Sequence, residues 1–253
     1  MSKLVSKVAV ITGGAKKIGR ATAIELAKQG YNILIHTGGS SVEEAKETIQ
    51  LIKKHSVDAS LVIGDLREEK TVQEIKLCAE KMGTVLILVN NASLRIASEF
   101  QKIKIEDWKK IMSINVDAAF LCSQAFIGSM IKYGWGRIIN LGGLSAHIGA
   151  CDRAHVVTSK AAIVGLTKAI AIEFVGTGVT CNCVVPGFIE DFNTDKKELR
   201  GHWLKHPLKP QLPMGKFGTP DDIAKTISYL CKKDADYITA QVVHVNGGTY
   251  IPS

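Results

Sequence analysis

Short apolar runs alternate with longer segments in which apolar residues recur at helical spacing along most of the chain. The apolar runs are rich in Val and Ile, which is typical of strands buried on both faces of a parallel sheet. The predicted strands cover residues 8–11, 31–36, 59–63, 85–89, 138–141, 179–185 and 242–245. Strands that alternate with helices predict an α/β fold with a doubly wound parallel sheet of about seven strands.

Helical segments fill most of the chain between these strands. Residues 42–54, 107–130 and 157–174 are predicted helices, and another is expected to begin at Thr219-Pro220-Asp221, because proline suits the first turn of a helix. Residues 190–212 are mostly polar and basic and predict a substrate lid, with a plain surface loop as the alternative. No repeat or linker interrupts the pattern, so we expect one domain over residues 1–253.

The composition favours a globular protein of the cytoplasm. Hydrophobic residues make up 46% of the 253 positions, and no signal-peptide pattern precedes the first strand. Six cysteines without a C-x-x-C pair indicate a reducing compartment and predict no metal site. The apolar span 111–131 includes Asn115, Asp117, Ser123 and Gln124, so we expect a buried or subunit-packing helix and no membrane segment.

The charge of the chain suits an anionic partner, because the formal net charge is +8. The basic residues are scattered over predicted helix faces, and the longest basic runs are pairs such as Lys16-Lys17. This scatter favours a small anionic cofactor over nucleic acid.

The first predicted strand is followed at once by the segment TGGAKKIG and a helix. A strand, a glycine turn and a helix form the context in which a dinucleotide is bound. Gly13 would allow the tight turn, and Gly19 would let the helix approach the strand and the phosphates closely. Backbone amides at the helix start would then face the pyrophosphate. An ordinary strand-to-helix turn is the alternative interpretation.

The stretch 137–174 contains a predicted strand, a loop with two adjacent glycines, and an apolar helix that carries Lys160. A lysine inside an apolar helix is costly to bury, so its position requires a reason. The stretch resembles the active-site segment of the short-chain dehydrogenase/reductase family, whose pattern runs I-N-x-S-S and later Y-x-x-S-K. The segment TSK that ends at Lys160 fits the lysine half. The family's tyrosine position is Val156, and its serine position is Gly143, or Gly142 if the register slips.

The resemblance covers residues 5–250 and implies a nicotinamide cofactor. The family pattern T-G-x-x-x-G-x-G matches at Thr12, Gly13 and Gly19, but its middle glycine is Lys17. The most similar branches are the carrier-protein ketoreductases and the pteridine reductases. NAD-specific members place an acidic residue near the end of the second strand, where this chain has none. We therefore expect NADP(H), with basic and hydroxyl side chains meeting its 2′-phosphate: Lys16, Lys17, His36, Ser40 and Ser41.

The resemblance also implies the other cofactor contacts. Asp65 would accept a hydrogen bond from the adenine amino group, with a helix cap as its alternative role. The segment after the sixth strand would meet the nicotinamide carboxamide. The expected cofactor-binding residues are Gly13, Lys16, Lys17, Ile18, Gly19, His36, Ser40, Asp65, Leu66, Asn91, Ala92, Ser93, Lys160, Pro186, Gly187 and Ile189.

The expected catalytic residues begin with Lys160 and Asn115, which match the family pattern. In the family, a tyrosine donates a proton to the carbonyl oxygen, the lysine lowers the pKa of that tyrosine, and the asparagine bends its helix and positions a relay water. Residues 134–228 contain no tyrosine, so we expect the proton to come from His147, His155 or ordered water. Surface or capping roles are the alternatives for both histidines.

Two functions follow from this site. The first is an NADP(H)-dependent oxidoreductase that reduces a carbonyl or enone, such as a ketone or an oxoacyl thioester, with a proton donor other than tyrosine. The second is a catalytically impaired homologue that binds NADP(H) as a regulatory or partner subunit. The apolar helices 107–130 and 157–174 carry many small residues and predict a homotetramer, as in the family.

Overall fold

The computed structural model describes residues 6–190 and 212–252. Its centre is a seven-stranded parallel sheet with the strand order β3-β2-β1-β4-β5-β6-β7. The strands are β1 Lys7–Ile11, β2 Asn32–Thr37, β3 Ala59–Ile63, β4 Thr84–Asn90, β5 Gly136–Leu141, β6 Val179–Pro186 and β7 Val242–Val245. The predicted doubly wound sheet is confirmed, and the predicted strands differ from the observed ones only at their ends.

Helices cover both faces of the sheet. Among the described residues they are α1 Lys17–Lys28, α2 Val42–Lys53, α3 Glu69–Met82, α4 Ile105–Met112, α5 Ala118–Tyr133, α6 Ser145–Ile148, α7 Ala154–Glu173 and α8 Pro220–Leu230. One core cluster lies between the sheet and α3, α5 and α7, and a second lies between the sheet and α1, α2 and α8. Because side chains alternate along a strand, Val10 belongs to the first cluster and Ile11 to the second.

The helix predicted at 107–130 is observed as α4, a π-helical turn at Ser113–Asp117, and α5. A π turn inside a helix is rare and frequently marks a functional site. Asn115 lies within this turn and is 2% exposed. The helix is therefore irregular at the asparagine, as the family resemblance implies.

The start of α8 is capped as its sequence predicts. The carboxylate of Asp222 accepts a hydrogen bond from the Thr219 amide at 2.8 Å, and the Thr219 hydroxyl accepts one from the Asp222 amide at 3.3 Å. Pro220 occupies the first turn. The lid predicted near 190–212 falls almost wholly on residues 191–211, which lie outside the described residues.

Two helical spans, Ile105–Tyr133 and Ala154–Glu173, are long and apolar enough to cross a membrane by length and composition alone. The core helix of a soluble protein meets the same criterion, and both spans pack on the sheet through buried residues such as Phe126 and Ile170. Their exposed faces carry Phe120 and Ile172. These exposed apolar side chains lie on the helices for which subunit packing was predicted.

All strands point their carboxyl ends to one edge of the sheet, because the sheet is parallel. The strand order reverses between β1 and β4, and ligands of such sheets bind in the crevice at this point. Thr12 follows β1, Asn91 follows β4, and Gly142 follows β5 at this edge. The candidate site is therefore built from the segments that follow these strands.

Candidate active site

The segment that runs from β1 into α1 has no room for a side chain at Gly13 or at Gly19. Gly13 has a φ of +63°, and a Cβ atom there would lie 2.9 Å from the Cα atom of Ala92. A Cβ atom at Gly19 would lie 2.2 Å from the carbonyl oxygen of Gly13. The start of α1 can approach the end of β1 this closely only because Gly19 has no side chain. This is the close packing that a phosphate-binding turn requires.

Thr12 and Asn91 join the carboxyl ends of β1 and β4. The side-chain amide of Asn91 donates hydrogen bonds to the carbonyl oxygens of Thr12 and Gly13, at 3.0 and 2.9 Å. The hydroxyl oxygen of Thr12 accepts hydrogen bonds from the amides of Asn91 and Ala92, at 3.1 and 3.0 Å. Asn91, expected as a cofactor contact, therefore also fixes the glycine turn.

Lys17 occupies the position of the family's middle glycine and keeps a left-handed backbone. Its φ is +53°, a conformation that costs a non-glycine residue about 1–2 kcal/mol. Lys16 is the N-cap residue of α1, and its Nζ atom lies 3.5 Å from a carboxylate oxygen of Glu44. Ile18 packs against the core cluster under α1 and α8. Both lysines therefore stand at a helix start, where an anion is favoured.

His36 lies inside the protein at the end of β2. It is 3% exposed, and its Nε2 atom is 2.9 Å from the carbonyl oxygen of Gly64. Burial lowers the pKa of His36, which favours the neutral ring. This geometry does not favour the expected contact between His36 and a 2′-phosphate. Ser41 is also buried, whereas Ser40 is exposed.

Asp65 pairs with Arg67 at the end of β3. The Nε atom of Arg67 donates to the Asp65 carboxylate at 2.8 Å, and the Arg67 amide donates to it at 3.0 Å. The Arg67 side chain holds the pKa of Asp65 below its ordinary value. The N-cap residue of α3 is Glu68, so the alternative role of Asp65 as that helix cap is wrong. Leu66 is buried in the core.

The segment after β6 is held close to the end of β7. Pro186 ends β6, and the amide of Gly187 donates to the carbonyl oxygen of Val245 at 2.9 Å. A Cβ atom at Gly187 would lie 2.6 Å from the Cα atom of Asn246, so this approach requires glycine. Ile189 then pairs with Gly218 in an isolated bridge. The expected nicotinamide-binding residues thus form one continuous segment at the edge where the carboxyl ends of the strands lie.

Lys160 extends from α7 to the carboxyl end of β5. Its Nζ atom donates a hydrogen bond to the carbonyl oxygen of Leu141 at 2.7 Å. Burial, aided by the charge of Arg95 and opposed by Cys183, lowers the pKa of Lys160 to about 7. A Cβ atom at Gly143 would lie 3.3 Å from the Cγ atom of Lys160. The lysine singled out in the sequence is therefore buried directly against the position of the missing serine.

Asn115 links the loop after β4 to α7. Its side-chain oxygen accepts a hydrogen bond from the Leu94 amide at 2.7 Å, and its side-chain nitrogen donates to the Ser159 hydroxyl at 2.9 Å. The Ser159 hydroxyl donates in turn to the carbonyl oxygen of Val156 at 2.8 Å. Asn115 therefore positions the turn of α7 that carries Lys160.

The two candidate histidines occupy different environments, because His155 is fully buried and His147 is partly exposed. His155 is 0% exposed, and neither of its ring nitrogens has a hydrogen-bond partner among the described residues, so a surface or capping role for His155 is wrong. His147 packs against His244 and Tyr250, with ring centroids 4.5 and 5.4 Å away. Burial lowers the pKa of His147. His147 thus joins α6 to β7 and to the C-terminal segment.

Two features of this edge were not predicted from the sequence. Arg95 lies close enough to Lys160 for its charge to act on the lysine pKa, and the only signal was a basic residue shortly after the segment NNAS. Asn90 and Asn140 are paired across β4 and β5, and the Asn90 amide donates to the Asn140 side-chain oxygen at 2.8 Å. That pair depends on the register of β4 against β5, which cannot be predicted from the sequence.

Comparisons with known proteins agree with this geometry. A family model described as enoyl-(acyl carrier protein) reductase matches residues 13–250. The chain is 34% identical over 248 residues to the 3-oxoacyl-[acyl-carrier-protein] reductase FabG of Staphylococcus aureus, with 98% of this chain and 99% of the relative covered. It is 35% identical over 254 residues to the reductase of the same name from Aquifex aeolicus, with the same coverage.

Solved structures give the same result for the fold. An acetoin dehydrogenase, YohF, from Salmonella typhimurium has a TM-score of 0.86 and 31% identity over 96% of each chain. An acetoin dehydrogenase from Enterobacter cloacae has a TM-score of 0.87 and 28% identity, with 98% of this chain and 96% of that chain covered. Sheet, glycine turn and crevice define an α/β protein of the Rossmann class. The chain belongs to the short-chain dehydrogenase/reductase family, whose members are oxidoreductases.

Proposed function

We propose that the protein reduces a carbonyl or enone group with NADPH, using a proton donor other than tyrosine. The observation that carries this proposal is the glycine turn beside a buried lysine at one sheet edge. Gly13 and Gly19 leave space that a Cβ atom would fill, and Lys160 is buried where β5 ends. Together they suit a dinucleotide in the crevice and a reacting carbonyl next to it.

The residues at the crevice fit a dinucleotide phosphate. Backbone amides at the start of α1 suit the pyrophosphate, and the segment from Pro186 to Ile189 suits the nicotinamide end. NADP(H) is favoured over NAD(H) because the segment 36–41 contains no carboxylate and because Lys16 and Ser40 are exposed near it. The bound cofactor would supply the hydride.

The similar proteins support a carbonyl substrate. The curated relatives are named for the reduction of 3-oxoacyl groups on acyl carrier protein, and the structural neighbours are named for acetoin. Both names describe a small ketone or an oxoacyl thioester. We propose the same substrate class for this protein, together with a cytoplasmic location, a homotetramer, and no nucleic-acid or membrane partner.

A second candidate function rests on the replaced residues. Val156 and Gly143 have no proton to give, and loss of a positioned general acid typically lowers the rate about 10²- to 10⁴-fold. A protein that binds NADP(H) without turnover, as a regulatory or partner subunit, would tolerate both changes.

Two measurements test the proposal. Titration of NADPH and of NADH by intrinsic-fluorescence quenching should give tighter binding of NADPH, and equal affinities would remove the NADP(H) assignment. NADPH oxidation should then depend on an added ketone, enone or oxoacyl thioester, with the reduced product identified by mass spectrometry. Tight NADPH binding without oxidation of NADPH by any of these substrates would favour the partner-subunit function.

A further inference from the structure

The stem of Lys160 occupies the space in front of Gly143. The three atoms closest to a Cβ atom built at residue 143 are Cγ, Cβ and Cδ of Lys160, at 3.3, 3.7 and 3.7 Å. A contact of 3.3 Å is tighter than most Cβ contacts, so a serine at this position would press on the lysine stem. The lysine stem therefore takes this path in a structure that has glycine, and not the family's serine, at residue 143.

The Nζ atom of Lys160 lies at the end of β5, at the base of the candidate site. It donates to the carbonyl oxygen of Leu141, two residues before Gly143. An ammonium group has three N–H donors, and this carbonyl accepts one of them. Val156, at the family's tyrosine position, is 2% exposed and packs without any hydroxyl of its own. Lys160 therefore places its ammonium group within two residues of Gly143 along β5 and its loop, and neither Gly143 nor Val156 carries a hydroxyl.

The environment of Lys160 suits proton exchange near neutral pH. Burial and the charge of Arg95, on the loop after β4, both lower the pKa of the ammonium group, to about 7, while Cys183 on β6 opposes them. Besides Lys160, the titratable side chains on α6 and α7 are His147, His155, Lys168 and Glu173, and the adjoining α4 carries Glu106, Asp107, Lys109 and Lys110. An acid works best when its pKa lies near the operating pH, and lysine is readily tuned by burial.

We propose that the ammonium group of Lys160 is itself the proton donor for the reduction, in place of the family's tyrosine. This inference rests on the proposed function. A bound reduced nicotinamide would supply a hydride to the carbonyl carbon, and the C=O π electrons would move to the oxygen. That oxygen takes a proton from Nζ, which leaves a neutral amine and an alcohol. The amine then recovers a proton from water.

Variants at one position separate this role from a structural one. Lys160→Arg keeps a cation and hydrogen-bond donors but cannot release a proton near neutral pH, and Lys160→Ala removes the group. Because Lys160 is also an expected cofactor contact, each variant is assayed at an NADPH concentration that saturates it by fluorescence, and both should lose at least about 10²-fold in kcat. Added ethylamine should restore part of the rate to Lys160→Ala and none to Lys160→Arg. The parent rate of reduction should fall as pH rises through about 7.

The histidine variants His147→Ala and His155→Leu provide the comparison. Each should keep the parent pH profile. If one of these variants abolishes the reduction and ethylamine does not rescue Lys160→Ala, the assignment of Lys160 as the proton donor is wrong, while the proposed function still stands. Carbon-13 NMR of lysine Cε, with Lys160→Met to assign the signal, gives a readout without turnover. A Lys160 signal that titrates near pH 7 is expected, and one that titrates above pH 9 would overturn the inference. A parent that binds NADPH and reduces no substrate would overturn the proposed function as well.

Discussion

The side-chain nitrogen of Asn91 lies 2.9 Å from the carbonyl oxygen of Gly13 and ties the end of β4 to the glycine turn after β1. The same nitrogen would lie only 2.8 Å from a Cβ atom at Gly19. The turn, the start of α1 and the strand end are therefore packed as one unit, with no space for a side chain at Gly19. The cofactor crevice depends on that packing.

Gly19→Ala should disrupt this unit and weaken NADPH binding by more than tenfold, because the new methyl group would overlap the Gly13 carbonyl oxygen at 2.2 Å. Fluorescence titration with NADPH measures the loss. Gly128→Ala is the matched control, since a Cβ atom at that position in α5 meets nothing within 4 Å. Unchanged affinity in Gly19→Ala would show that the turn does not hold the nucleotide.

Lys17→Gly should be more stable than Lys17→Ala by about 1 kcal/mol, because only glycine accepts a positive φ without strain. Both variants remove the lysine side chain, so the comparison isolates the backbone at φ +53°. Urea unfolding followed by circular dichroism gives the two free energies of unfolding. Equal stability would mean that the backbone at residue 17 is not left-handed in solution.

Light scattering at micromolar concentration should give the mass of a homotetramer. Ile172→Glu should lower that mass, because this α7 side chain is 65% exposed in the single chain and would place a charge in the interface. Leu77→Glu on α3, where the side chain is 57% exposed, is the control and should leave the mass unchanged. A monomeric parent, or equal effects of both variants, would contradict the predicted interface.

Lys160→Met should stabilise the protein most at low pH. The folded-state pKa of Lys160 is about 7, against an ordinary value of 10.5, so the charged form is disfavoured in the fold. Its destabilising effect is complete below about pH 7 and disappears as pH rises towards 10.5. The difference in unfolding free energy between variant and parent should shrink over this range. A difference that does not change with pH would show that the folded-state pKa is not lowered.

The features that local chemistry determines could be predicted from the sequence. Gly13 and Gly19 follow from the needs of a strand-to-helix turn, and Thr219-Pro220 follows from the requirements of a helix start. Lys160 was recognisable because a charge inside an apolar helix is costly. Each of these signals is contained within a short stretch of neighbouring residues, so no knowledge of the tertiary structure is needed.

The features that depend on tertiary contacts could not be predicted from the sequence. His36 looked available for a phosphate, but its ring is buried against Gly64, which directly follows the neighbouring strand β3. The packing of His147 against His244 joins segments about a hundred residues apart. The contact between the stem of Lys160 and Gly143 also joins two separate elements. The sequence does not predict how close these two residues lie.

The most direct test compares the parent with the double variant Gly143→Ser, Val156→Tyr in NADPH oxidation with a short 3-oxoacyl thioester. We expect the parent to reduce the thioester already, at a rate that falls through about pH 7, as the pKa of Lys160 requires. The double variant should gain the family's tyrosine and serine and keep its activity to higher pH. If the double variant reduces the thioester while the parent only binds NADPH, the protein is a binding subunit and this account of its chemistry is wrong.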